Sequence, residues 1–267
     1  MNKKIKRVKL FCKDLEKHQD TMEKLEREFR KYHFEVVDED YDLVVSVGGD
    51  GSFLKMVNQT DFDSNVYYIG LNAGTLGFLQ EIDEKTSSSF VARLKEGNYQ
   101  IEEINLAEIR IVTHNKEYYF TSLNEVIVRE SDLKVLSMDV YIKDELLEHF
   151  YGDGLLISTP TGSTAHNMSY GGSIIYPNIS ALSLTPIAPL NNRAYQTLAN
   201  PIIVPDKTVI RLIPINEVQS VFIIIDGKSQ RIDDVLKIEI VMDSKKINVL
   251  RMSEYHFIDR VRDKLVE

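Results

Sequence analysis

The run Val44-Val45-Ser46-Val47-Gly48-Gly49-Asp50-Gly51-Ser52-Phe53 decides the fold. An apolar stretch breaks into three glycines around one carboxylate and then continues into an amphipathic segment, the grammar of a strand, a tight turn and a helix. In open α/β sheets such a junction presents backbone N–H groups and a helix N-terminus to an anionic ligand at the strand's carboxyl end. The glycines leave room for close approach. Asp50 is harder to explain, because a carboxylate repels phosphate unless it orients a hydroxyl, takes up a proton or holds a divalent cation. The plainer alternative is a turn whose aspartate caps the next helix.

Outward from this junction the chain alternates short apolar runs with helical stretches up to about residue 100. Val8 to Cys12 reads as a strand, Asp14 to Tyr32 as a charged helix, Asp42 to Val47 as a buried strand, Ser52 to Gln59 as a helix and Val66 to Ile69 as a strand. A second glycine-rich turn follows, Gly70-Leu71-Asn72-Ala73-Gly74-Thr75-Leu76-Gly77-Phe78. Asp83 to Lys95 reads as a helix ended by Gly97. Strands alternating with helices imply a mainly parallel sheet with ligand loops along one edge.

Beyond residue 100 the period changes to two. Leu136, Met138, Val140 and Ile142 alternate with Ser137, Asp139 and Tyr141, and Val209 to Ile213, Val221 to Ile225, Leu236 to Val241 and Ile247 to Leu250 continue the pattern. This is the mark of half-buried antiparallel strands. The expected architecture is therefore an α/β domain over residues 1–100 and a β-rich, sandwich-like domain over 101–250. An amphipathic tail, Ser253 to Val266 within 251–267, is expected to pack back on the first domain, with a cleft between the two.

Composition narrows the function. The chain has 267 residues, 43% hydrophobic and 27% charged, with a formal net charge of −9. That balance argues against a general nucleic-acid or membrane-surface binder, so anionic ligands must be held locally. A single cysteine, Cys12, excludes an intramolecular disulfide or a cysteine zinc cage. The basic start is followed by too short an apolar run for a signal peptide, and no run approaches membrane-spanning length, so a cytoplasmic protein is expected.

Two further segments carry chemistry. Asn124-Glu125 interrupts the apolar stretch from Phe120 to Val128; an adjacent amide and carboxylate suit a sugar diol, although strand alternation alone could turn one of them to solvent. The segment Gly152-Asp153-Gly154 through Thr161-Gly162-Ser163-Thr164-Ala165-His166-Asn167-Met168-Ser169 is dense in small and hydroxyl residues. Small residues let a flat ring lie against the backbone, and hydroxyls and N–H groups can read a base edge; the alternative is a Ser/Thr-rich turn with an ordinary cap. His166 completes no metal set or triad and reads as pocket wall. Ser163 lacks the Gly-x-Ser-x-Gly elbow. Neither the dinucleotide fingerprint nor the P-loop fits, since their required glycines fall on Leu54 and Phe222.

In order and spacing, Gly48-Gly49-Asp50-Gly51-Ser52, Leu123-Asn124-Glu125 and Gly152-Asp153-Gly154 through Ala165 resemble the ATP- or polyphosphate-dependent NAD kinase family. Gly74-x-x-Gly77-Phe78, Asn191-Asn192-Arg193 and Pro201-Ile202-Ile203-Val204-Pro205 belong to the same resemblance, which covers nearly the whole chain. Gly-Gly-Asp-Gly alone is shared with diacylglycerol kinase-like lipid kinases and 6-phosphofructokinases. The three motifs together are specific.

The resemblance implies transfer of the terminal phosphoryl of ATP or polyphosphate to the adenosine ribose 2′-hydroxyl of NAD, giving NADP, with magnesium or another divalent cation on the phosphates and none assigned to protein side chains. It implies Asp50 as the catalytic residue and Gly48, Gly49 and Gly51 as the phosphate-donor loop. NAD would be held by Asp50, Gly51, Phe78, Asn124, Glu125, Tyr151, Asp153, Thr161, Thr164, Ala165, His166, Asn167, Met168, Ser169 and Ala188. Assembly would be a homodimer or homotetramer through the second domain. Two residues depart from the family: Tyr151 stands where many relatives are basic, and His166 where many carry tyrosine. A kinase for a lipid or sugar hydroxyl and a non-catalytic dinucleotide sensor are the competing readings. The first needs no adenine slot at residues 161–169, and Asp50 argues against the second.

Overall fold

The structure is a computed structural model and describes residues 4–74, 77–132, 134–215, 219–252 and 256–266. It divides into two units, residues 1–104 with 246–267, and residues 105–245. Among the described residues no helix is long and apolar enough to cross a membrane.

In the first unit the strands run in the order Glu35–Val36, Arg7–Cys12, Leu43–Gly48, Tyr67–Asn72, Lys246–Arg251 and Gln100–Asn105, with Ile82–Asp83 also pairing on Tyr67–Asn72. The first four strands pair in parallel, as the alternation of strands and helices requires. Leu43–Gly48 and Tyr67–Asn72 are buried throughout, which explains their unbroken apolar character. The helix Leu15–Lys31 buries Leu25 and Phe29 four residues apart, and Ser87–Glu96 buries Phe90, Val91 and Leu94. Phe29 and Phe90 meet edge to face at 6.0 Å.

Alternation marked residues 247–250 as a strand of the second half, but Lys246–Arg251 instead pairs in parallel with Tyr67–Asn72, through Asn248↔Tyr67 and Val249↔Tyr68. Periodicity identifies a strand and its buried face; it does not identify the sheet. Arg251 fixes this strand by pairing with Glu81 (3.3 Å) and Glu102. Burial pushes the Glu81 carboxyl above its ordinary range, and the Arg251 guanidinium opposes that. Ser253, Glu254 and Tyr255 of the expected tail lie outside the described residues; beyond them Phe257–Leu265 is helical and buries Phe257.

The second unit is a single antiparallel sheet. Its order is Glu145–Gly152, Leu136–Ile142, Ile210–Pro214, Lys228–Val241, Gln219–Ile225, Glu125–Glu130, Gly154–Ser158, Ala181–Ile187 and Ile202–Pro205, with Ala107–Thr113 and Glu117–Ser122 joined through Lys228–Val241. The long strand Lys228–Val241 curls the sheet: its first half pairs with Gln219–Ile225 and its second half with Ala107–Thr113 and Ile210–Pro214, with a register shift near Val235. Residues from both halves, among them Ile111, Val126, Met138, Phe150, Ile157, Ile223 and Ile238, share one core.

Candidate functional site

The site residues fall into two groups, one in each unit. In the first unit Gly48 is in register with Asn72, so both glycine-rich turns leave the carboxyl ends of adjacent parallel strands. Gly49 caps the helix Asp50–Gln59, and its carbonyl accepts from the N–H groups of Ser52 and Phe53. The Ser52 hydroxyl donates to the Val47 carbonyl (3.0 Å) and locks turn to strand. Asp50 is thus the first helical residue. Its side chain does not cap its own helix; it spans to the second turn, where Oδ2 accepts from Phe78 N–H (2.9 Å) and Oδ1 from Leu79 N–H (3.0 Å). Two backbone donors hold the carboxylate plane, and each oxygen retains a lone pair for a further donor.

Gly77 permits this bridge, since a Cβ there would stand 1.8 Å from Asp50 Oδ1. By contrast, a Cβ at Gly49 or Gly51 would meet nothing within 4 Å. Internal packing therefore does not require glycine at either position. Thr75 and Leu76 lie outside the described residues. The half-buried Phe78 ring lies 6.4 Å from that of Phe257, with Lys264 Nζ 5.9 Å from its centre.

In the second unit Glu125 opens the strand Glu125–Glu130 and sits opposite Ser158, the last residue of Gly154–Ser158. The Asn124–Glu125 backbone is gripped from two directions. Thr159 donates its hydroxyl to Leu123 O (2.6 Å) and its N–H to Asn124 O (2.9 Å). Across the sheet Asp226 accepts from Ser122 Oγ (2.7 Å) and from the N–H groups of Leu123 (2.9 Å), Asn124 (2.8 Å) and Glu125 (3.3 Å). Both side chains of the pair are buried, Asn124 at 6% exposed and Glu125 at 3%, so neither is the solvent-facing neighbour that simple alternation allows.

Among the described residues, Asn124 Oδ1 and Glu125 Oε2 have no hydrogen-bond partner. Unsatisfied buried acceptors are costly and rare, and they point to a donor supplied from outside. Glu125 Oε1 lies 2.9 Å from His166 Nδ1. Burial raises the Glu125 carboxyl to about 7; the His166 charge opposes this and the Asp226 carboxylate adds to it.

The small-residue segment forms a 3₁₀ turn, Thr161–Thr164, and one helical turn, His166–Ser169. Some of it is interior scaffold. Ser163 Oγ donates to Pro160 O (2.6 Å) and accepts from Ile175 N–H (3.0 Å). Asn167 is fully buried, donating to Ser173 O (3.1 Å) and accepting from Thr185 Oγ1 (2.7 Å), so in this arrangement its side chain holds the turn together. Thr161, Thr164, Ala165 and Met168 are half-buried, and His166 and Ser169 are exposed. Asp153 is also exposed, with its N–H on Ile187 O (2.9 Å). The Tyr151 ring packs 4.3 Å from that of Tyr195, and the exposed Ala188 holds a φ of +45°. If a flat-ringed ligand lies against this turn, Ala165→Leu should raise its KM about tenfold, the effect of inserting side-chain volume against backbone. Steady-state kinetics of the folded variant measures it, and an unchanged KM would place the ring elsewhere.

Asp226 escapes the motif reading. Its signal is the Asp226-Gly227 dipeptide after the apolar run Val221 to Ile225, a two-residue hairpin signature.

The comparisons with known proteins cover the same ground. The model for the ATP-NAD kinase N-terminal domain matches residues 1–99, and that for the ATP-NAD kinase C-terminal domain matches 123–252. The chain is 34% identical to the NAD kinase of Finegoldia magna over 100% of both chains. It is 36% identical to that of Streptococcus pneumoniae over 98% of this chain and 96% of the relative. Its fold is similar to that of a yeast NADH kinase complexed with NADH (TM-score 0.83, 22% identity, 99% of this chain and 88% of that one). It is also similar to that of an Archaeoglobus fulgidus NAD kinase in complex with ATP (TM-score 0.75, 18% identity, 97% and 98%). With a family model matched in each half and relatives of this identity along its full length, the chain belongs to the NAD kinase family.

Proposed function

We propose that the chain transfers the terminal phosphoryl of ATP to the 2′-hydroxyl of the adenosine ribose of NAD, and that Asn124 and Glu125 hold that ribose. The observation that carries this reading is the pair of buried acceptors on adjacent residues, Asn124 Oδ1 and Glu125 Oε2, unpartnered among the described residues. Adjacent acceptors without internal donors suit the donor hydroxyls of a sugar. Binding of NADH and of ATP by fold relatives supports the choice of both ligands.

In the proposed reaction the ribose 2′-oxygen attacks the terminal phosphorus in line, the bond to the bridging oxygen breaks, and ADP leaves with that electron pair. Asp50, with each oxygen steadied by a backbone N–H, orients the hydroxyl through a remaining lone pair and receives its proton. The glycines at 48, 49 and 51 bring main-chain N–H groups and a helix N-terminus to the donor phosphates. Among the described residues no group of three or more His, Cys, Asp or Glu is arranged to hold an ion. Magnesium is assigned to the donor's own phosphates, where it would offset their charge, and polyphosphate is the alternative donor. Thr161, Thr164 and Ala165 are assigned to adenine. Asp153, Ser169, Tyr151, His166, Met168, Phe78 and Ala188 are assigned to the rest of the dinucleotide, and a cytoplasmic homodimer or homotetramer formed through the second unit to the assembly. Incubating the protein with NAD, ATP and magnesium and detecting NADP with an NADP-specific dehydrogenase tests the reaction. No NADP would overturn it.

Glu125 gives the reaction a pH signature. Its folded-state carboxyl, at about 7, lies above the ordinary value of about 4.3, so the folded protein binds the proton more tightly than the unfolded chain. Its contribution to stability is fully present below the unfolded value and is lost as pH rises through about 7. The ionised form is the stronger acceptor for a hydroxyl, so NAD affinity should rise over the same interval in which stability falls. Glu125→Gln should flatten both trends. Thermal melts and NAD titrations from pH 5.5 to 8.5 measure this, and parallel curves for wild type and variant would contradict it.

A further inference from the structure

We propose that Asp226 is a positioning residue for the acceptor ribose, holding Asn124 and Glu125 in the geometry that receives it; this rests on the NAD kinase reading above. Asp226 and Gly227 form the two-residue tip between Gln219–Ile225 and Lys228–Val241, with φ values of +47° and +80° and Ile225 paired to Lys228. That is the type I′ geometry for which Asp-Gly and Asn-Gly are both well suited. A residue needed only for the turn could therefore be either one.

The contacts of its carboxylate go beyond the turn. The N–H groups of Leu123, Asn124 and Glu125, three in succession, converge on it, an arrangement of backbone donors that forms an anion-binding concavity. Ser122 Oγ adds a fourth donor, and Asp226 N–H returns a bond to Glu125 O (3.1 Å). Oδ1 serves Ser122, Asn124 and Glu125, while Oδ2 serves Leu123. All four contacts are donors, so both positions must be acceptors. An asparagine would turn an NH₂ towards one set or the other and lose it.

The carboxylate thus fixes the backbone from which the two acceptors, unpartnered among the described residues, project. The network also explains how Asn124 and Glu125 can both stay buried at a point where the strand begins. Thr159 holds the carbonyls of Leu123 and Asn124 on one side, and Asp226 holds the N–H groups on the other.

The test compares wild type with Asp226→Asn and Ser122→Ala in steady-state assays with NAD and ATP varied separately, alongside thermal melts. Asparagine preserves the hairpin, so a role in the turn alone predicts normal kinetics. Positioning predicts that Asp226→Asn raises the KM for NAD about tenfold or more and leaves the KM for ATP within about twofold. Ser122→Ala, which removes one donor and nothing else, should raise the NAD value about threefold. Should Asp226→Asn fail to fold, Ser122→Ala decides by the same criterion. NAD values within about twofold of wild type for the folded variants, or equal rises for NAD and ATP, overturn the proposal. If wild type itself forms no NADP the functional reading fails, whereas an active wild type with normal variants sinks the positioning role alone.

Discussion

Asp50→Asn should lower kcat at least about a hundredfold while changing the KM for NAD only modestly. A positioned general base contributes about 10²- to 10⁴-fold. Phosphoryl transfer has a loose transition state in which the attacking hydroxyl is little deprotonated, so part of that factor is orientation, and the amide can still supply some of it. The two backbone bonds add a structural consequence. Each Asp50 oxygen accepts an N–H from the second glycine turn, so the asparagine NH₂ must face either Phe78 N–H or Leu79 N–H. Losing that bond should cost about 1–3 kcal/mol of stability. Single-turnover formation of NADP reads the chemistry, calorimetry reads NAD binding and a melt reads the fold. Near-normal turnover with a lowered melting temperature would make Asp50 a strut between two turns. Parallel loss of binding and turnover would make it a ligand-holding group.

The first glycine turn was legible because strand, glycines and helix are local, and each has its own period or conformational demand. The bridge from Asp50 to residues 78 and 79 was not, since nothing in the spacing says that a carboxylate at the start of one helix will be held by the neighbouring turn. The same limit explains Lys246–Arg251: alternation identified a strand, but the choice of Tyr67–Asn72 as partner depends on a contact about 180 residues away in sequence. Motif density singled out the segment from Thr161 to Ser169, yet did not separate Asn167 and Ser163, whose partners are internal, from Ala165 and His166, which are accessible. Asp226 shows the reverse. Its dipeptide announces a turn, and its service to Ser122, Leu123, Asn124 and Glu125 emerges only when the sheet pairs two strands that lie far apart in sequence. At His166 the imidazole Nδ1 stands 2.9 Å from Glu125 Oε1, a pairing across 41 residues that the motif's spacing does not announce.

Gly162→Ala should cut NAD affinity by one to two decades without a matching loss for ATP. A Cβ on Gly162 would stand 2.1 Å from Asn124 O, 2.4 Å from its carbonyl carbon and 2.7 Å from its Cα. These are main-chain atoms and cannot rotate aside, so either the Thr161–Thr164 turn lifts or the Asn124 backbone shifts. Overpacking of this kind costs about 1–3 kcal/mol, which corresponds to roughly one to two decades if the strain is relieved at the ligand-holding pair. The backbone has little slack to absorb it elsewhere. Gly162 N–H is held by Thr159 Oγ1 (3.2 Å), which in turn donates to Leu123 O, so lifting the turn pulls on the residue preceding the pair. On the far side Asp226 anchors the N–H groups of the same three residues. The strain therefore falls on Asn124 and Glu125, whose acceptors are the ones assigned to the ribose. Comparing KM values for NAD and ATP with the melting temperature of the folded variant separates the outcomes. A lowered melting temperature with unchanged NAD kinetics would mean that the turn merely packs against the strand. Equal losses for NAD and ATP would mean a general defect, and the assignment of the acceptor ribose to this pair would then be wrong.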